Sequence, residues 1–137
     1  MNLPLEKGKP ESFQRPPERI DGPFLEFELR AQIELLRHEE AYRRGRNSKT
    51  LAKYPDFRIV LSVIKAGAHI QQHSASGRIS VHMVSGHIRM HVAEKLLDLP
   101  AGRLLVLDRA ILHDVEAIED SAFLVTLTAP DGNPGRC

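Results

Sequence analysis

Residues 66–80 read AGAHIQQHSASGRIS, and residues 81–92 continue VHMVSGHIRMHV. Ile79, Val81 and Met83 alternate with their neighbours, and Ile88, Met90 and Val92 alternate again after Gly86. A period of two marks a strand with one buried face, because successive side chains point to opposite sides of a sheet. The stretch is read as two strands meeting at a glycine, and Gly86 is expected to take a positive φ at a hairpin turn. His73 lies upstream, framed by glycines on a segment of the same β character.

The β character extends in both directions. TLAKY and FRIVLSVI are separated by Pro55-Asp56, a turn dipeptide. Downstream come KLLDL, the turn PAG, RLLVLD, LHDVEAI and SAFLVTLTA. About eight or nine short strands with no helix between them predict an all-β sandwich or barrel. Upstream, Leu29, Ile33 and Leu36 follow helical spacing and predict a helix over about residues 29–43, ended by basic residues and Gly45. Pro4, Pro10, Pro16 and Pro17 stand among polar residues, so residues 1–22 are expected to form an extended or mobile arm. The expected organisation is an arm (1–22), a helical extension (23–47), the barrel (48–130) and a C-terminal tail (131–137).

Composition narrows the function classes. The 137 residues carry a formal net charge of +1 at pH 7, so nothing demands a nucleic-acid or acidic-membrane partner. The basic run RRGR (43–46) is read as a solvated turn. Cys137 is the one cysteine, which excludes an intrachain disulfide. No apolar run approaches the ~20 residues that span a bilayer, and the start lacks the apolar segment of a signal peptide. A cytoplasmic location is expected. Dinucleotide, phosphate-loop and nucleophile-elbow motifs are absent, and with five Phe, two Tyr and no Trp there is no aromatic platform for single-stranded nucleic acid.

At its glycines and histidines the segment resembles the cupin superfamily, small jelly-roll barrels that often hold a metal. Gly67, His73 and Gly86 fall on the spacing of the first cupin motif, and Gly102 and His113 on that of the second. The resemblance covers roughly residues 48–128 and implies a small single-domain barrel with degenerate metal-binding motifs. Ala75 stands where the motif has its second histidine, and Ile79 or Ser80 where it has glutamate. Asp108, Ala110 and Ala117 replace proline, glycine and asparagine in the second motif. Of the family's ligand set, only His73 and His113 remain.

Neutral imidazoles suit zinc, nickel or iron(II), whereas catalytic sites for such metals normally use three protein ligands. Gln71, two residues before His73, is the candidate third ligand and shares its face if the segment is extended. Without metal, Ser74, Ser76, Ser80 and Gln71 are the candidate hydrogen-bond partners of the two rings. Asp108 either orients His113 or sits in an exposed turn with Arg109. His82, His87 and His91 are read as surface or dimer-interface residues on strand faces opposite the apolar row. The first functional reading is a non-catalytic barrel, too poor in ligands for chemistry, that binds or senses a small molecule or metal as a homodimer. The alternative is a metal-dependent enzyme of dioxygenase or isomerase type built on the two histidines. A third reading makes the arm and helix the protein-binding part of a regulatory module.

Overall fold

The run Phe57–Ile64 has no simple alternation of polar and apolar residues, which is the pattern of a strand covered on both faces. The computed structural model describes Arg15 and residues 18–129, and in it Leu61 and Val63 of this strand are buried toward the helix and Ile64 toward the barrel core. The expected tail and Cys137, with most of the expected arm, lie outside the described residues.

Nine strands follow one helix: β1 (Arg46–Tyr54), β2 (Phe57–Ile64), β3 (His69–His73), β4 (Ile79–Ser85), β5 (His87–Val92), β6 (Lys95–Pro100), β7 (Leu104–Leu107), β8 (His113–Ala117) and β9 (Ser121–Thr128). They form a five-stranded antiparallel sheet in the order β1-β2-β9-β4-β7 and a four-stranded antiparallel sheet in the order β3-β8-β5-β6. This is the all-β barrel that the strand spacing predicts, in the jelly-roll form that the cupin resemblance implies. Between the sheets lies one core, in which Ile79, Val81 and Met83 of β4 meet Ile88 and Met90 of β5. All five are the residues whose alternation marks the strands in the sequence, and each is at most 3% exposed.

A second core lies on the other face of the five-stranded sheet. Helix α1 (Leu29–His38) places Ile33 and Leu36 against Leu51, Leu61, Val63 and Ala122. Leu36 is fully buried, and burying such a side chain stabilises by about 2 kcal/mol. The helix begins at Glu28, whose carboxylate accepts the Ala31 N–H at 2.9 Å. It is shorter than expected: Glu39 is extended, and residues 40–44 form a separate 3₁₀ turn ending at Gly45. The break follows from what Glu39 holds. Its carboxylate takes a two-pronged hydrogen bond from Arg15 and another from Asn47 at 2.9 Å, and the turn beyond it buries Tyr42. The pairing with Arg15 is the main cause holding this carboxyl below its ordinary pKa.

The described part of the N-terminal segment is fastened to the barrel. The Lys53 N–H donates to the Ile20 carbonyl at 2.7 Å, and the Tyr54 hydroxyl to the Gly22 carbonyl at 2.7 Å. Lys49, only 6% exposed, reaches Glu18 at 2.6 Å and Gln32 at 2.7 Å. These contacts cover the free edge of β1, where unpaired backbone groups would otherwise face outward. No helix among the described residues is long and apolar enough to cross a membrane.

Gly86 has the expected positive φ, +83°, but it does not close a hairpin. β4 and β5 belong to different sheets, and Gly86 is where the chain crosses between them. A side chain there would strike the Asp120 carbonyl and Ser121, whose hydroxyl joins the His87 N–H to the Glu119 carbonyl. Ala110, at a motif position that is otherwise glycine, keeps a φ of +61°. Two stability changes of opposite sign are expected in thermal or denaturant unfolding. Gly86→Ala should cost at least about 2 kcal/mol, because strain and collision add. Ala110→Gly should stabilise by up to about 1 kcal/mol through relief of the left-handed backbone. An unchanged midpoint in the first, or a loss in the second, would contradict these assignments.

Candidate functional site

The end of β3 and the start of β8 are paired, with His73 directly opposite His113. The ring centroids are 4.3 Å apart and the planes are inclined by 58°. The two imidazoles are held alike: Nδ1 of His73 lies 2.8 Å from the Gln71 carbonyl, and Nδ1 of His113 lies 2.9 Å from the Ile111 carbonyl. A carbonyl oxygen only accepts, so each Nδ1 carries the proton. In the neutral ring the lone pair is then on Nε2, the nitrogen that can bind a metal or accept a hydrogen bond. The Nε2 of His73 is buried and has no hydrogen-bond partner among the described residues.

His113 is 1% exposed. Burial is the largest influence on its pKa and holds it below the ordinary histidine range; the neighbouring His73 ring acts in the same direction, while the Ile111 carbonyl and Asp114 oppose. The neutral ring is therefore the favoured form in the fold.

Both rings are steered by backbone carbonyls two residues upstream, not by Ser74, Ser76, Ser80 or the Gln71 side chain. Ile70 faces Val115 and His73 faces His113, so β3 spends one more residue than β8 between these pairs. That irregularity falls at Gln71 and Gln72, both exposed. Gln71 lines the opening beside His73, together with Arg46, His69, Ile70, Gln72 and Ser74. Ala75 and Ile79, at the positions of the absent motif ligands, are buried in the barrel core. Among the described residues no group of three or more His, Cys, Asp or Glu side chains is placed to hold a metal. The residues thus fit a two-imidazole anchor, with any further ligands coming from water or a bound molecule.

The remaining sequence candidates are separated from this pair. His91 Nδ1 is 2.9 Å from Asp114, and His87 Nε2 is 3.0 Å from Asp98, both on the four-stranded sheet. His82 is exposed on β4 of the other sheet, so the three do not share a face. Asp108 pairs with Arg78 at 3.0 Å in an exposed turn and does not contact His113.

Sequence reasoning missed two arginines. The barrel-side row of β1 is Arg46, Ser48 and Thr50, opposite Ile64, Ser62 and Val60 of β2. Arg58 continues the row on β2, opposite Leu127 of β9. These residues line a cavity of about 450 Å³ that shares Arg46 and Ile70 with the opening beside His73. The available signal was the alternation Arg58, Val60, Ser62 within the otherwise apolar FRIVLSVI.

The depressed pKa of His113 gives a stability prediction. Below the unfolded-state value of about 6.5 the unfolded chain takes up a proton that the buried ring resists, so this contribution is lost as pH falls through that value and levels off below the folded pKa. The melting temperature should therefore fall more steeply between about pH 7 and pH 5.5 in the native chain than in His113→Gln. Equal slopes would show that His113 is not held neutral by the fold. At neutral pH His113→Ala should cost about 2–3 kcal/mol for the cavity it leaves, and His73→Ala less than about 1 kcal/mol.

No protein-family model matches the chain, and no curated protein matches it in sequence. Solved structures match it in shape. A conserved protein of unknown function from Streptococcus pyogenes is 25% identical, with a TM-score of 0.59 over 62% of this chain and 75% of that one. An RmlC-like cupin from Shewanella frigidimarina is 17% identical, with a TM-score of 0.60 over 67% of this chain and 78% of that one. Salicylate 1,2-dioxygenase from Pseudoaminobacter salicylatoxidans is 10% identical, with a TM-score of 0.65 over 73% of this chain and 32% of that one. At such identities a shared shape speaks for the fold and not for an activity. The two-sheet jelly roll, the strand order and these likenesses together make the chain a cupin-fold protein.

Proposed function

We propose that the protein is a small-molecule-binding barrel in which His73 and His113 anchor a divalent transition metal, with the bound molecule or water completing its coordination. The observation that carries this reading is the shared orientation of the two rings. Each Nδ1–H is committed to a carbonyl, which leaves Nε2 as the donor nitrogen of the neutral ring, and in His73 that nitrogen is buried without a partner. Burial without a partner is costly, on the order of 1–3 kcal/mol for a polar atom. A cation or a hydrogen-bond donor at this point would recover that cost. Zinc, nickel and iron(II) are the ions that imidazole pairs suit.

Binding without turnover is favoured by what surrounds the pair. Ala75 and Ile79 put methyl and alkyl groups where the cupin motif has ligands, and the opening is lined by amide, hydroxyl and guanidinium groups. These groups fix a ligand's orientation. A second reading, a metal-dependent enzyme on a small organic substrate, draws on the shape shared with a salicylate 1,2-dioxygenase. In that reading the ion supplies Lewis-acid chemistry and substrate oxygens fill its open positions. Homodimerisation, which the cupin resemblance implies, and a cytoplasmic location belong to the same proposal.

Titration calorimetry with zinc, nickel and iron(II), on full-length protein without a histidine tag, tests the anchor. One ion per chain is expected, with affinity weakened at least about tenfold in His73→Ala. Absence of binding by all three ions, or undiminished binding in the variant, would overturn the metal anchor. Steady oxidation of a substituted benzoate by the iron-loaded protein would replace the binding reading with the enzymatic one.

A further inference from the structure

The barrel side of β1 and β2 has a composition that a closed core would not tolerate. In β2 the helix-side row is Ile59, Leu61 and Val63, all apolar, whereas the barrel-side row carries Arg58 and Ser62 around Val60. In β1 the barrel-side row is Arg46, Ser48 and Thr50. Polar side chains of both strands are thus aimed at the inside of the barrel; on the helix side β2 is apolar, while Asn47 and Lys49 of β1 hydrogen-bond to the helix. The inward row lines the cavity of about 450 Å³, a size that suits a small organic molecule.

The cavity has a polar and an apolar part. β1 and β2 carry the guanidinium groups of Arg46 and Arg58 and the hydroxyls of Ser48, Thr50 and Ser62; beside them on β9 lie Phe123, Val125 and Leu127, and Ile70 comes from the other sheet. No carboxylate is among the residues lining it, and neither arginine has an ion-pair partner among the described residues. Arg58 is half-buried, and its Nε is buried with no hydrogen-bond partner among the described residues. Nε and one Nη of a guanidinium form a planar fork whose two N–H groups match the two oxygens of a carboxylate. An unpaired buried Nε–H is half of such a fork left open, and a buried donor without an acceptor is destabilising.

We infer that this cavity binds an organic carboxylate, its acid group on Arg58 and Arg46 and its apolar body against Phe123, Val125 and Leu127. The inference rests on the proposal that the barrel binds a small molecule, and it names the chemical class. A bare inorganic anion would satisfy the guanidinium groups and leave the apolar part unfilled. An amphipathic acid fills both. Arg46 and Ile70 also border the opening beside His73, so the cavity adjoins that opening.

The test is binding of benzoate and hexanoate to the full chain, followed by amide chemical shifts or calorimetry. Benzamide, hexanamide and phenyl phosphate serve as matched probes. Saturable binding of at least one acid is expected, with its amide at least about tenfold weaker and Arg58→Gln weakening the acid at least about tenfold. Arg46→Gln, at an exposed position on the edge strand, should weaken it in the same direction and keeps the test open if Arg58→Gln fails to fold. Failure of both acids to bind, equal binding of acid and amide, affinity unchanged in both arginine variants, or tighter binding of phenyl phosphate would each overturn the inference. His73→Ala separates the two proposals. Loss of metal with carboxylate affinity retained leaves this inference standing and places the metal anchor apart from it; metal binding retained while no acid binds overturns this inference alone.

Discussion

Coverage of the five-stranded sheet on both faces is the constraint on which the rest of the molecule depends. Its outer face carries Leu51, Leu61, Val63 and Ala122, a surface that a solvated barrel could not leave open. Helix α1 covers it with Ile33 and Leu36, and the segment before the helix is tied down by Glu18, Ile20 and Gly22. With that face supplying part of the hydrophobic stabilisation, the barrel side of β1 and β2 is released from packing and can hold Arg46, Ser48, Arg58 and Ser62. The core between the sheets is concentrated instead in β4, β5, β8 and β9. One half of the barrel interior is a core; the other is a cavity.

His73 stands at the opening that adjoins the cavity, opposite His113. Their environment separates the roles of the two ring nitrogens: each Nδ1 is committed to a backbone carbonyl within its own strand region, and Nε2 of His73 is buried without a hydrogen-bond partner among the described residues. Burial of His113 favours the uncharged ring. A pair of protonated imidazoles with centroids 4.3 Å apart would repel each other, so the arrangement suits a cation or a donor group bound between neutral rings. The outer surface of the four-stranded sheet shows the contrasting case. There His87 and His91 face Asp98 and Asp114, and the His87 ring, followed by Arg89, holds the Asp98 carboxyl below its ordinary pKa.

The barrel was legible because a period of two records burial directly: Ile79, Val81, Met83, Ile88 and Met90 are all core residues. Periodicity records faces and not pairing, which is why the crossing at Gly86 looked like a hairpin although its two strands lie in different sheets. His73 and His113 stood out through motif spacing, and the structure places them opposite each other. The partners of their rings were not legible, since every residue offers a carbonyl and only the folded backbone selects those of Gln71 and Ile111. Nor was the extra residue in β3, which sets the placement of Gln71 and Gln72. Arg46 was hidden inside a basic run that reads as a solvated turn. Arg58 was hidden because a lone charge in an apolar strand has two explanations, an exposed edge or a polar cavity, and the strand order decides between them.

Long-range nitrogen–proton correlation of the histidine rings at mildly alkaline pH is the most direct measurement. The account predicts that His73 and His113 both appear as neutral rings protonated on Nδ1, and that zinc or nickel displaces the Nε2 signal of each. A proton on Nε2 of either ring, or Nε2 signals indifferent to metal, would contradict the assignment of this pair as the anchor of the site.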